Sequence, residues 1–506
     1  MNIASDTSPT HRRQFILGRH EIRAKPEWVS VRLAKDLVLS RCPRLRVVTV
    51  ADRDGRQWTV LGIAVQTDES RLSPQAAIAE CATGAVLEET DSWAGRWVLI
   101  GEDEINLDAC GLLGCYYRFV AGERAPWVSS SLSLLADLPG IAKPSVEQRK
   151  MIPEIGLDFD PPPLTVYAGV RKLLPSQILS LATGEVRGRS LVAGLAQARS
   201  YEDVLDALAN YLTTVLKNLW AVSSPKGQLW IALTSGYDSR LLLAAAHRAG
   251  VPVKTFTQLF KGMSQGDRTF PPLLSRLVGV DHVAIWPKTQ RPKLLEIYDE
   301  HTSLNVFMDR QFYASDQWSW TMPTDIILRG LGFEIGKRNY AHKFAPEWDP
   351  ADPRTCKLIL RAAGERGSSF LEESVGECLK WIASHPQDNM DWRDHFYIYC
   401  RISGWASATE QALDLVDGIS IIPANSRTLY GLVRSVPEAK RLATQHHVDL
   451  IRRLSPGLLT YPINPADNFV VRNVKRLKKL SKRIRERGMV TTFYHLRAIL
   501  MRRLVR

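Results

Sequence analysis

The segment that most constrains this chain is QLWIALTSG, residues 228–236, a near-continuous apolar run that closes on small residues. A strand with so few polar positions is buried on both faces, between layers. It leads within two residues into DSRLLLAAAHRAG, a helix-forming stretch that stops at Gly250. VPVKTFTQL, FPPLLSRLVGV and HVAIWP repeat the alternation of strand and helix, and DIILRG adds a later strand running into a glycine-containing loop. That alternation predicts a parallel sheet with helices on both faces. Open parallel sheets bind ligands outside the carboxyl ends of their strands. The chemistry is therefore sought first at Leu233-Thr234-Ser235-Gly236-Tyr237-Asp238-Ser239-Arg240.

The chain before this region reads differently. To about residue 140 it shows short strands with turn punctuation. RVVTVADRDGRQWTVLGIAV is a hairpin around Asp54-Gly55, and SPQAAIAECATGAVLEE is a helix capped by Ser73. RWVLIGEDEINLDACGLLGCYYRFV gives further strands, and TVYAGVRKLLPSQILSLATGEV reads as extended segments after the proline cluster at 161–163. This part is α+β. Ser200 then caps SYEDVLDALANYLTTVLKNLW, apolar at helical spacing, and residues from about 355 to 460 read as mostly helical.

Length and composition bound the class. The chain has 506 residues, 45% hydrophobic and 24% charged, enough for two or three ordinary globular domains. No apolar run approaches the roughly eighteen residues a membrane span requires. MNIASDTSPTHRRQF lacks the apolar core of a secretory signal. Seven cysteines occur without a CxxC pair, which suits reduced thiols in a cytoplasmic compartment. The net charge is +13, but thirteen Lys and Arg against one Glu between Val471 and Arg506 account for +12 of it. The body is thus nearly neutral and the basic character belongs to a tail. In that tail Val474, Leu477, Leu480 and Ile484 share one helical face. It reads as a basic amphipathic helix that either packs on its own domain or meets an anionic membrane surface. Nucleic acid is the least supported partner, since no aromatic interleaving accompanies the charge.

The 233–240 segment has the parts of a phosphate cradle. Small residues let backbone approach a phosphate chain. Amides at a helix N-terminus, with the hydroxyls of Thr234, Ser235 and Ser239, can hold its oxygens. Asp238 suits a magnesium ligand, because Mg²⁺ takes a carboxylate together with phosphate oxygens. The Walker pattern GxxxxGK[ST] is absent here. Read alone, the same residues also describe an ordinary capped strand-to-helix turn.

TSGYDSR resembles the SGGxDS pyrophosphate loop of the asparagine synthetase family, which includes β-lactam synthetases and lasso-peptide cyclases. Gly95-Arg96-Trp97, Asp108-Ala109-Cys110-Gly111 and Tyr116-Tyr117 are similar to the family's N-terminal GRF…DPLG…YY pattern. Val170-Arg171-Lys172-Leu173-Leu174-Pro175 with Ala182-Thr183-Gly184 resembles its inter-domain strand pair. Arg329-Gly330-Leu331-Gly332-Phe333-Glu334 resembles its second loop, SGEGxDE, with Glu334 in the place of the second magnesium carboxylate. A surface ion pair of Glu334 with Lys337 or Arg338 is the competing reading of that residue.

The resemblance spans most of residues 45–465 and implies a two-domain chain with a tail. Residues 1–195 form an α+β sandwich like an N-terminal-nucleophile (Ntn) amidotransferase. Residues 196–470 form an α/β parallel-sheet ATP-pyrophosphatase domain, and 471–506 the tail. It implies ATP-dependent amide formation through an acyl-adenylate, from a small-molecule or peptide carboxylate and an amine, with ATP and Mg²⁺ as cofactors. Leu233, Thr234, Ser235, Gly236, Asp238, Ser239, Thr257 and Gly330 would hold the nucleotide, and Asp238 with Glu334 the metal.

Three departures qualify it. Residue 2 is Asn2, where glutamine-dependent members carry a catalytic cysteine, so ammonia from glutamine is not expected. Leu331 stands where the family has Glu or Tyr, and Asn464 where it has a pyrophosphate-binding Lys. Arg240, or Lys337 and Arg338 after Glu334, is expected to supply the missing cation. A dyad of Tyr397 or Tyr399 with Glu410 could rebuild the acceptor site, although that stretch also reads as an aromatic core stripe. A non-catalytic nucleotide binder and a membrane-recruited partner protein are the alternatives.

Overall fold

The structure, a computed structural model, describes residues 9–33, 37–69, 73–123, 125–140, 159–193, 200–223, 226–286, 292–303, 320–363, 369–385 and 390–466. The basic tail of the sequence reading lies outside the described residues.

The first 190 residues build two six-stranded sheets whose pairings are all antiparallel. One runs from Arg171–Lys172 through Tyr116–Arg118, Trp127–Ser129, Phe15–Gly18 and Val38–Arg41 to Val29–Arg32. The other runs from Val186–Gly188 through Gln177–Ser180, Glu104–Leu107, Trp93–Ile100 and Gln57–Gln66 to Val47–Ala51. Leu17, Leu39, Leu61, Val98, Leu107, Val128 and Leu179 interleave in one apolar core. The expected hairpin is present, with Val50 opposite Trp58 across the Asp52–Arg56 turn. Ser73 caps its helix by accepting from the Ala76 amide, but that helix ends at Glu80, and only a short one, Val86–Glu89, follows.

The second half holds the predicted parallel sheet. Its strands are β1 (Leu229–Ala232), β2 (Val253–Gln258), β3 (His282–Ile285), β4 (Ile326–Leu328) and β5 (Ile419–Ile421). They lie side by side in the order β3-β2-β1-β4-β5, every pair parallel. Helix α1 (Tyr201–Val222) starts at a reciprocal capping box between Ser200 and Asp203, and packs its apolar face into the same core as the sheet. Helix α2 (Tyr237–Ala249) follows β1, begins at Gly236 and ends at Gly250, whose φ of 65° is the left-handed turn that glycine favours. Helix α3 (Gln265–Leu277) follows β2. From β1 the chain moves outward to β2 and β3, then returns to the other side of β1 for β4 and β5. The strand order therefore reverses between β1 and β4, and in open parallel sheets the ligand crevice lies at such a reversal, at the carboxyl ends.

The two halves are joined by buried polar contacts. Arg427, almost fully buried, donates to the carbonyls of Leu107, Pro175 and Ser190. Lys172 reaches across to the Ser403 carbonyl and the Ser407 hydroxyl on the helical stretch 397–413. No described helix is long and apolar enough to cross a membrane.

Candidate functional site

Two loops meet in the crevice. The first carries residues 233–239 from β1 into α2, and the second carries 329–337 from β4. Gly330 lets them touch, because a Cβ there would lie 2.8 Å from the Ser239 amide nitrogen and 3.2 Å from Asp238 Cβ. The second loop then turns back at Gly332, whose φ is 88° and whose amide donates to Glu334 Oε2 at 2.8 Å. Asp238, in the first turn of α2, and Glu334 thus stand on facing walls.

Their electrostatics differ. Lys337 Nζ bonds both Asp238 oxygens, at 2.9 and 2.6 Å, and His447 Nε2 lies 3.1 Å from Oδ1. Burial pushes the Asp238 carboxyl up, but His447 and Lys337 outweigh it and hold the group below its usual range. Glu334 has no such cation of its own. Burial, and after it the Asp238 charge, push its pKa up to about 7. His447 is 2% exposed, and its Nδ1 has no hydrogen-bond partner among the described residues. A buried orphan of this kind on the imidazole that meets Asp238 marks a place where local stability is sacrificed.

The remaining expected residues shape the first loop. Thr234 Oγ1 accepts from the Gly236 amide, and Ser239 Oγ accepts from the Thr234 amide at 3.0 Å. The Ser235 amide and hydroxyl both donate to Asp267 Oδ1 at 2.8 Å, so Asp267 on α3 braces the loop. Thr257 donates its hydroxyl to the Leu233 carbonyl, tying the ends of β1 and β2 together. Leu233 itself is buried in the core. Ser264 caps α3 by accepting from the Asp267 amide and donates its hydroxyl to the Asp267 carboxylate, which fixes that carboxylate for Ser235. His447 carried no motif at all.

Two expectations are corrected. Arg240 is not a free cation in the crevice. It is fully buried, and its guanidinium donates to the carbonyls of Ser235, Leu458, Tyr461 and Pro462. It clamps the 458–462 segment beneath the loop. That places Asn464 against the loop, with its amide donating to the Ser235 carbonyl at 3.1 Å. The Tyr/Glu dyad does not form either. Tyr399 donates to Ser176 Oγ, Tyr397 packs edge-on to Tyr340, and Glu410 accepts from Arg329 at 2.6 Å. Glu334 is no surface ion pair, since Lys337 goes to Asp238 and Arg338 to Asp391, Asp394 and Glu438.

No group of three or more His, Cys, Asp or Glu able to hold a metal occurs among the described residues. Asp238 and Glu334 still fit a cation that brings most of its own oxygens. Two carboxylates close enough for one to raise the other's pKa lose that repulsion when a divalent ion lies between them, and Mg²⁺ characteristically takes one or two carboxylates plus phosphate and water.

No family model and no curated protein matches the chain. Among solved structures it is similar to a glutamine phosphoribosylpyrophosphate (PRPP) amidotransferase from B. subtilis complexed with ADP and GMP, at 7% sequence identity and a TM-score of 0.21. The match covers 57% of this chain and 62% of that one, so this chain spans less than two thirds of that structure's length.

Proposed function

We propose that this chain is an ATP-dependent carbon–nitrogen ligase of the asparagine synthetase type. In this reading a substrate carboxylate oxygen attacks the α-phosphorus of ATP, and the bond to the β-phosphate breaks to release pyrophosphate. An amine nitrogen then attacks the acyl carbon, the bond to AMP breaks, and the nitrogen loses a proton. The observation that carries this reading is the meeting of Asp238, Glu334 and Lys337 at the reversal of strand order, on the first turn of α2.

The first-turn amides of α2 and the small residues before it favour an anion at the loop. Lys337 supplies the cation that Asn464 lacks, since its ammonium already lies in the crevice. A bound Mg²⁺ would offset charge on the leaving pyrophosphate. Asp238 and Glu334 would hold it. Leu331, partly buried against the core, brings no proton-transfer group to the second loop. The first half is read as an amidotransferase-like sandwich without its nucleophile, which makes an amine-bearing substrate or a free amine the nitrogen source.

The test is AMP and pyrophosphate release across a panel of carboxylates and amines, with wild type and Asp238→Asn. Amide and AMP formed in equal amounts by wild type alone is the expected result. The Lys337–Asp238 ion pair favours a second reading, a nucleotide-binding protein without turnover. That reading gains if ATP binds and no substrate pair yields AMP.

A further inference from the structure

The first half, read here without a nucleophile, grips one short segment of the second half with unusual density. Helix α4 (Ser407–Leu413) and the turn after it, residues 414–417, lead into β5. Arg96, on the strand Trp93–Ile100, bonds both oxygens of Asp414 at 2.8 and 2.6 Å, with both side chains at most 3% exposed. Arg13 donates to the Asp414 and Val416 carbonyls and lies 3.8 Å from Asp414 Oδ1, and Arg12 donates to the Leu415 carbonyl and Asp417. Gln411 donates to the Ser130 carbonyl.

One turn before Asp414, which caps the end of α4, stands Glu410, fully buried. Like charges four residues apart on a helix repel, and burial removes the water that would screen them. Each is neutralised from a different side. Arg96 comes from the first half, whereas Glu410 takes Arg329 from the end of β4. Glu410's other oxygen is buried and has no hydrogen-bond partner among the described residues, so its hold on Arg329 is its main compensation. Arg329 is also fixed through its amide, which donates to the Ile421 carbonyl, and it opens the loop that carries Gly330, Gly332 and Glu334.

We propose that Arg96 is a positioning residue for the second wall of the nucleotide site. By holding both oxygens of Asp414 it offsets the repulsion between Asp414 and Glu410, leaves Glu410 to hold Arg329, and so fixes the 329–334 loop that sets Glu334 opposite Asp238. With Arg96 gone, Asp414 keeps only the longer 3.8 Å contact to Arg13, and its repulsion of Glu410 one turn away disturbs the hold on Arg329. The first half then acts as a brace for the site rather than as a spent domain. This rests on the nucleotide reading above.

The test is calorimetric binding of Mg·ATP to the full chain, with circular dichroism to establish that each variant is folded. Arg96→Met is expected to bind at least about tenfold more weakly while folded, in line with losses seen for groups one step removed from a ligand. Arg96→Met with Asp414→Leu removes both charges, leaves Arg329 to Glu410, and is expected to recover to within about threefold of wild type. Should the single variant not fold, Arg96→Lys replaces it, with an expected loss of about threefold or more from the broken bidentate geometry. Affinity unchanged in the folded single variant, or a double variant no better than the single, overturns the proposal. Wild type that binds no Mg·ATP would instead sink the nucleotide reading itself.

Discussion

Two buried carboxylates in this molecule have opposite surroundings. Asp414, at the junction of the halves, meets a bidentate guanidinium that works against its burial. Glu334, in the crevice, receives one backbone amide and faces another carboxylate, and its pKa stands near 7. Burial raises both, but at Asp414 two arginines oppose it, whereas at Glu334 a neighbouring carboxylate adds to it. A protein tolerates a carboxylate set against its own charge where something other than folding keeps it. The contrast separates what holds the halves together from what the crevice is for.

The sharpest way to break the contrast is to uncouple the junction. Asp414→Ala leaves Arg96 buried and unpaired, and should cost about 3–5 kcal/mol in urea unfolding. Asp238→Asn should move stability far less, yet weaken Mg·ATP binding by about tenfold or more in titration calorimetry. If the two substitutions reversed these roles, the distinction between brace and site would fail.

A pH series sharpens it further. The folded pKa of Glu334, about 7, lies above its ordinary 4.5, so between those values the folded state binds more protons than the unfolded one. Stability from this group is therefore greatest in acid and is lost as pH rises from about 4.5 through about 7. Glu334→Gln should flatten that part of a denaturation-midpoint profile. Lys172 has the opposite sign. Burial lowers it from 10.5 to about 7, so its contribution rises as pH climbs from about 7 towards 10.5. Lys172→Met should remove the alkaline slope and leave the acidic one.

Arg240→Lys comes next in size. The clamp on four carbonyls loosens, and amide exchange should speed up across Leu458–Asn464 with little change elsewhere. The smallest effect is expected at the exposed Arg354–Asp352 pair, where Arg354→Ala should leave the urea midpoint unchanged in the same assay.

The sequence made the parallel sheet legible because its strands are short, apolar and separated by helical periods. It also placed Asp238 at the start of a helix after a buried strand, which is where the structure has it. Arg240 was misread for a physical reason. An arginine beside a phosphate-like loop looks free in a linear string, but three of its four carbonyl partners lie more than 200 residues away. His447 and Asp267 were missed because their links to Asp238 and Ser235 come from other segments of the chain and leave no motif in the sequence. The Arg96–Asp414 and Glu410–Arg329 pairs were invisible on the same grounds. Strand and helix periods are local, whereas buried charge pairing is decided only after the halves dock.

The most direct test of the account is Mg·ATP titration calorimetry on wild type, Asp238→Ala and Glu334→Ala. The account predicts binding by wild type that both substitutions weaken, because two facing walls of one crevice contribute. Binding that neither substitution alters, or no binding by wild type, would contradict it.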